Sequence, residues 1–70
     1  MNWIKCSEQM PELVSDEDFT DILLMWDAKY EEIDIGYATY QHRDWIWCDR
    51  DHITMENVTH WMPLPEPPKE

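Results

Sequence analysis

The sequence predicts a mainly β protein of the α+β class. We expect a small single-domain antiparallel meander of three or four strands, with at most one short helix and an extended proline-rich C-terminal tail. A chain of 70 residues has room for one domain. Five Trp, three Tyr and one Phe supply large rings for a core. Short apolar segments alternate with polar turns, as in β proteins. Residues 1–70 are therefore one acidic domain, with residues 62–70 as the tail.

The N-terminal segment, residues 3–13, opens with apolar Trp3 and Ile4 and then becomes polar. Residues 7–12 are typical of a turn or a single helical turn that ends near Pro11. The acidic stretch that follows, residues 15–18, is suited to a solvated loop.

Residues 19–27 are compatible with either a helix or a strand. Phe19, Ile22, Leu23 and Trp26 would share one helical stripe, whereas Ile22, Leu24 and Trp26 would share one face of a strand. The apolar run is short and nearly continuous, which favours a buried strand.

Residues 32–41 carry the clearest strand pattern. Ile33, Ile35 and Tyr37 alternate with polar or small residues, giving one apolar face and one largely polar face that includes Glu32 and Asp34. The only glycine, residue 36, lies inside this strand and indicates a bulge or a close approach of another group.

Two further strands are predicted. A turn at residues 42–44 leads into an aromatic-rich strand, residues 44–48, which is the expected hairpin partner. Residues 49–52 form a loop, and residues 57–62 form the last strand. Pro63, Pro65, Pro67 and Pro68 prevent a continuing ladder, so the tail is extended. Its PxxP arrangement suits either a strap packed over the aromatic face or a ligand for proline-binding domains.

The charge excludes several function classes. Sixteen acidic residues against five Lys and Arg give a net charge of −11. Direct nucleic-acid binding and docking on anionic membranes both need basic residues. No apolar run is long enough for a membrane span. We expect a cytoplasmic protein in which Cys6 and Cys48, which could form one disulfide, stay reduced.

Catalytic and metal-binding signatures are weak. Cys6, His42, Cys48, His52 and His60 include no pair of cysteines or histidines at ligand spacing. One glycine cannot build a phosphate-binding loop, and no nucleophile elbow frames a serine or cysteine. We therefore expect no enzymatic activity, no metal and no cofactor.

The acidic residues are the first candidates for partner binding. Glu32 and Asp34 lie two apart on one strand face, about 6.6–6.8 Å along the strand, close to two phosphate steps of one DNA strand at about 3.4 Å each. Carboxylates fixed in this way could imitate a duplex for a basic groove; the alternative is an acidic exterior that serves solubility. The candidate contact residues are Asp16, Glu17, Asp18, Asp21, Glu31, Glu32, Asp34, Asp49 and Asp51.

The aromatic residues are the second candidates. Trp45 and Trp47 share one strand face, with Ile46 and Cys48 on the other, and a small sheet cannot easily bury both. An aromatic face of Trp45, Trp47 and Trp61 would make the chain a homodimer or a small adaptor.

Two blocks carry a family resemblance. Residues 3–12, WIKCSEQMPE, and residues 58–68, VTHWMPLPEPP, resemble the small family catalogued as domain of unknown function 551, found mostly in phages and prophages of enteric bacteria. The resemblance implies a phage accessory protein in the host cytoplasm and no catalytic residues. With the charge, it leads to one hypothesis. The chain would bind and inhibit a basic, nucleic-acid-binding host protein, such as a restriction, CRISPR or recombination nuclease, by acidic mimicry.

Overall fold

The fold is one antiparallel sheet. The computed structural model describes residues 2–65. Its sheet has six strands in the order β1-β6-β2-β3-β4-β5, and every neighbouring pair is antiparallel. The strands are β1 (Ile4–Lys5), β2 (Leu23–Asp27), β3 (Glu32–Gln41), β4 (Asp44–Asp49), β5 (Thr54–Met55) and β6 (Val58–Pro63).

The mainly β, antiparallel prediction is confirmed, but the element count differs. The sheet has six strands rather than three or four, and residues 2–65 contain no helix. The two additional strands, β1 and β5, have two residues each, too few for any alternation to be visible in a sequence. The prediction of a strand within residues 19–27 is confirmed for residues 23–27.

The connectivity departs from a simple meander. Strands β2 to β5 follow one another across the sheet, but β6 returns to the far side of β2 and separates it from β1. Met25 therefore has Asp34 of β3 on one side and Trp61 of β6 on the other. A register shift at Trp26 and Asp27 marks a bulge in the β2–β6 pair.

Residues 13–20, which we call the acidic hairpin, fold beside the C-terminal half of β3. Leu13 bridges Thr20, and Phe19 bridges Thr39. The Tyr40 amide donates to the Asp18 carbonyl at 2.8 Å. The predicted solvated loop, residues 15–18, is the tip of this hairpin, so backbone hydrogen bonds fix both of its sides.

The core lies on one face of the sheet, the core face. Its buried cluster takes one or two residues from each of the four central strands: Leu23, Met25, Ala38, Trp47 and Trp61. The N-terminal segment covers part of this face. Pro11 is buried, Met10 packs against the cluster, and the Trp61 indole N–H donates to the Gln9 carbonyl at 2.8 Å. One end of the chain thereby closes over the last strand.

The two faces of β3 are exchanged relative to the expectation from its sequence. Ala38 is fully buried, whereas Ile33 is 57% exposed and Ile35 is 38% exposed. The reason is size, because small residues at 36 and 38 leave room for the larger side chains of β2 and β4. Ala38 pairs with Trp47, and Gly36 pairs with Leu23. Polar Glu32 and Asp34 are on the same side of β3 as Gly36 and Ala38, at its N-terminal end.

The tail begins later than predicted. Met62 and Pro63 belong to β6, where they pair with Leu24 and Leu23. Pro63 ends the strand because it has no N–H for a further ladder bond. Leu64 and Pro65 are exposed, and the remainder of the predicted tail, from residue 66, lies outside the described residues.

Candidate functional site

The side of the sheet opposite the core, which we call the open face, is rich in apolar side chains. Strand register places these residues together, because directly paired residues share a face. Its members are Leu24, Trp26, Ile33, Ile35, Tyr37, Thr39, Ile46, Cys48, His60 and Met62.

The open face is only partly covered. The ring of Trp3 lies 6.4 Å from that of Trp26, and the two residues line a depression with His60 of β6. Ile33 and Ile35 of β3 remain exposed, and Tyr37 is half-buried. An uncovered apolar sheet face marks a surface that can bind another molecule.

The predicted acidic contact residues separate into two groups. Those at the N-terminal half of β3, the Glu31 cluster, are Glu31, Glu32, Asp34, Asp49 and Asp51. Asp49 joins this group because it pairs with Gly36, and Asp34, Asp49 and Asp51 line one shallow depression. Those in the acidic hairpin and the residue after it, the Asp18 cluster, are Asp16, Glu17, Asp18 and Asp21.

The two clusters lie toward opposite ends of β3. This strand has ten residues, about 30 Å at ~3.3 Å per residue. Phe19 bridges Thr39 near its C-terminal end, whereas Glu32 begins it. The structure thus places negative charge toward both ends of β3 rather than in one continuous row, and Glu32, Asp34 and Asp49 lie on the core side of the sheet.

Most of this charge faces solvent. The sequence has 16 Asp and Glu against five Lys and Arg, so the carboxylates far outnumber the cations. Lys29 lies over the Tyr30 ring, 5.3 Å from its centre, and Arg50 lines the same depression as Asp34 and Asp49. All four members of the Asp18 cluster are exposed, as are Glu31, Glu32 and Asp51. Exposed carboxylates in such excess give the chain a strong negative long-range field.

Two other carboxylates organise turns. The Oδ1 atom of Asp49 accepts hydrogen bonds from the amides of Asp51, at 2.9 Å, and Ile53, at 3.0 Å. The Oδ1 atom of buried Asp27 accepts from the amides of Lys29 and Tyr30, at 2.9 and 3.1 Å. Asp49 was predicted as a contact residue, and its geometry gives it this local role in addition.

The predicted aromatic face lies on the core side of the sheet. Trp47 is 8% exposed and Trp61 is 6% exposed, so both rings are core side chains with little surface left for a partner. Trp45 is half-buried, with its ring 5.1 Å from that of Tyr40. The surface available for association is the open face, whose signal in the sequence was the alternating Ile33 and Ile35.

Tyr37 and His52 form a polar pair on the open face. The Tyr37 hydroxyl and the His52 Nδ1 atom are 2.7 Å apart, and the rings meet edge to face at 5.8 Å. Desolvation raises the pKa of the Tyr37 hydroxyl above 10.0, with smaller contributions from Cys48 and Asp49. The loop after β4, held by Asp49, carries His52 to this position.

The cysteines are both free and lie on different faces of the sheet. Cys6 is half-buried beside the core cluster, and burial raises the pKa of its thiol above 9.0. Cys48 is buried on the open face, opposite Tyr37. Residues 2–65 hold no group of three potential metal ligands. No helix of the described chain is long and apolar enough to cross a membrane.

The comparisons with known proteins agree with the resemblance in the terminal blocks. The family model described as "Protein of unknown function (DUF551)" matches residues 2–69. The chain belongs to this family. An "Uncharacterized 7.8 kDa protein in ral-gp17 intergenic region" of Salmonella phage P22 is 38% identical over 78 aligned positions, covering all of both chains. The DUF551 resemblance predicted from the terminal blocks, and its link to phages, are thereby confirmed. No solved structure matches the chain.

Proposed function

We propose that this DUF551 protein is a non-catalytic phage protein that captures a basic, nucleic-acid-binding protein of the host and blocks its nucleic-acid groove. The observation that carries the proposal is the exposed apolar part of the open face, Ile33 and Ile35, together with an acidic cluster toward each end of β3. Apolar surface supplies the contact, and the charge selects a basic partner. The net charge of −11 supports a basic partner, and the phage relative supports a partner in the host.

The mechanism has two steps. The exposed carboxylates first steer the protein toward a groove lined with Lys and Arg, where complementary fields raise the association rate. The open face then packs on the apolar surface between the basic residues. In this complex the Glu31 and Asp18 clusters occupy positions on the partner that phosphates would otherwise take.

The division of charge into two clusters refines the mimicry hypothesis. A continuous row of carboxylates at phosphate spacing would compete with a duplex by charge alone. Two clusters separated along β3, with exposed Ile33 and Ile35 on the same strand, instead predict an interface in which neither charge nor apolar contact alone is enough for tight binding. We expect candidate restriction, CRISPR and recombination nucleases to be the targets.

Salt-dependent binding to purified nucleases tests this proposal. Affinity should fall by about tenfold or more between about 0.05 M and about 0.5 M salt, as the Debye length contracts to a few ångströms. One variant neutralises Asp16→Asn, Glu17→Gln and Asp18→Asn, and a second neutralises Glu31→Gln, Glu32→Gln and Asp34→Asn. A third, Ile33→Thr with Ile35→Thr, weakens the open face without changing charge.

Each of these three variants should weaken capture and restore nuclease activity. The matched control changes Glu8→Gln, Glu12→Gln and Glu56→Gln, which alters the net charge by the same amount at exposed positions outside both clusters. If this control weakens binding as much as the cluster variants, the net charge alone acts and the proposed interface is wrong. Unchanged capture by all variants would also refute it.

A second candidate function is self-association through the open face, favoured by the exposure of Ile33 and Ile35. Two copies would each bring a charge of −11, so screening should strengthen a homodimer while it weakens a complex with a basic protein. Sedimentation at low and high salt separates the two functions. A dimer that tightens with salt and dissociates in the Ile33→Thr, Ile35→Thr variant would favour self-association.

A further inference from the structure

A depression on the open face lies beside the Asp18 cluster. It is open to solvent, has a volume of about 450 Å³ and joins the acidic hairpin to the middle of β3 and to the loop after β4. Its walls are formed mainly by Phe19, Ile22, Tyr37, Thr39 and His52, with Asp18 and Asp21 beside them. We call it the Tyr37 depression.

The walls combine exposed apolar surface with a fixed polar pair. Phe19 is 40% exposed and Ile22 is 44% exposed, so a bound group would remove their side chains from water. The exposed hydrogen bond between Tyr37 and His52 restrains the opposite wall. That restraint reduces the ordering that binding would require of these two side chains.

The charge of the depression is negative. Asp18 and Asp21 line the depression, and both are exposed. The Tyr40 amide donates a hydrogen bond to the Asp18 carbonyl at 2.8 Å. This bond fixes the backbone that carries the Asp18 carboxylate. An anionic occupant would be repelled, and a purely apolar one would desolvate two carboxylates without compensation.

We infer that the Tyr37 depression binds an arginine side chain of the basic partner. An arginine has an apolar stem for Phe19 and Ile22, a flat cation that stacks on aromatic rings, and a fork of donors for carboxylates. Lysine offers the stem and the charge but not the planar fork. Arginine is also enriched among the residues that contribute most to interfaces.

This inference rests on the proposed function and adds the chemistry of one contact. It can be tested without the partner, by titrating isotope-labelled protein with N-acetyl-arginine methylamide and following backbone amide signals. Saturable shifts should be confined to residues around the depression, such as Phe19, Ile22 and His52. The neutral analogue N-acetyl-citrulline methylamide should produce much smaller shifts, and the lysine analogue should bind more weakly than arginine.

Paired variants separate a specific site from the general field of the protein. Asp18→Asn with Asp21→Asn should weaken arginine binding about fivefold or more, the loss expected from two solvent-exposed charge pairs. The matched control, Asp16→Asn with Glu17→Gln, removes the same charge from neighbouring positions that do not line the depression. Phe19→Ser tests the apolar wall, and an unchanged signal dispersion shows that each variant remains folded.

Several outcomes would overturn the inference. Equal shifts from the citrulline analogue, or equal losses in the control pair, would show that no arginine site exists. Concentration-dependent shifts of the same residues without any added compound, abolished by Arg43→Gln or Arg50→Gln, would make a second copy the occupant. A basic nuclease that is captured while the arginine compound fails to bind would leave the proposed function intact and exclude this site.

Discussion

The methyl group of Met25 lies where Gly36 leaves space for it. A β-carbon at position 36 would stand 2.6 Å from the Met25 Cε atom and would overlap the carbonyl oxygen of Cys48. Met25 is fully buried and belongs to the core cluster. The glycine thus serves a close approach between neighbouring strands, one of the two roles that its position in the sequence predicted.

Gly36→Ala is therefore expected to destabilise the fold by at least about 2 kcal/mol, since both the backbone and a buried side chain would have to move. Urea unfolding followed by tryptophan fluorescence measures the change. Thr39→Ala, on the same strand but on the open face, is the control and should lower stability by less than about 1 kcal/mol. A Gly36→Ala protein with an unchanged midpoint would show that the strands separate freely at this point.

The turn between β2 and β3 depends on the Asp27 carboxylate. Its Oδ1 atom accepts from two backbone amides, and the residue is 6% exposed. Asp27→Ala should lower the free energy of unfolding by about 1–3 kcal/mol because both amides lose their acceptor. Asp27→Asn keeps an oxygen at this position and should lose less. Equal losses in the two variants would mean that charge, not hydrogen bonding, is what the turn requires.

Strand positions were predictable, but strand faces were not. Strands β2, β3, β4 and β6 each have five or more residues, enough for their apolar pattern to be visible. In β3 the larger residues, Ile33 and Ile35, predicted the wrong inner face. The inner face was decided by two large side chains on the adjacent strands: Trp47, which pairs with Ala38, and Met25, which lies beside Gly36. This information lies in the pairing of strands rather than within one segment.

The candidate site was predictable only in its composition. The sequence indicated which acidic residues were available, but their division into two clusters depends on the folding of residues 13–20 against Thr39 and Tyr40. The Tyr37 depression likewise needs the loop after β4, because His52 lies 15 positions from Tyr37 in the chain. Contacts between residues so far apart in the chain depend on the tertiary fold, and a local sequence pattern does not predict them.

The hairpin turn between β3 and β4 is strained. His42 and Arg43 have φ values of 52° and 65°, the left-handed region that a two-residue turn of type I′ requires at both positions. Neither residue is glycine or asparagine, so the sequence did not reveal the turn type.

Arg43→Gly should raise the free energy of unfolding by up to about 1 kcal/mol, since glycine adopts this backbone conformation without steric conflict. Arg50→Gly removes the same side chain from a loop position whose φ is not positive, so this substitution should not stabilise the protein. Thermal and urea unfolding of both variants measure the difference. Equal stabilisation by the two substitutions would point to the lost charge rather than to the turn.

The raised pKa of Tyr37 links the open face to pH. Because the folded state favours the protonated hydroxyl, its stabilising contribution is complete below the ordinary value of 10.0 and is lost as pH rises through the folded pKa. Absorbance of the phenolate should include a titration step above 10.0, and Tyr37→Phe should remove that step.

The same substitution should change the pH dependence of unfolding. The wild-type protein should lose more stability than Tyr37→Phe between about pH 9 and about pH 11, because only the wild type must ionise a desolvated phenol. Cys48→Ala should lower the pKa of Tyr37, because Cys48 makes the next largest contribution to the raised pKa after desolvation. A Tyr37 hydroxyl that ionises below 10.0 would contradict the raised pKa and would mean that water reaches this side of the Tyr37 depression freely.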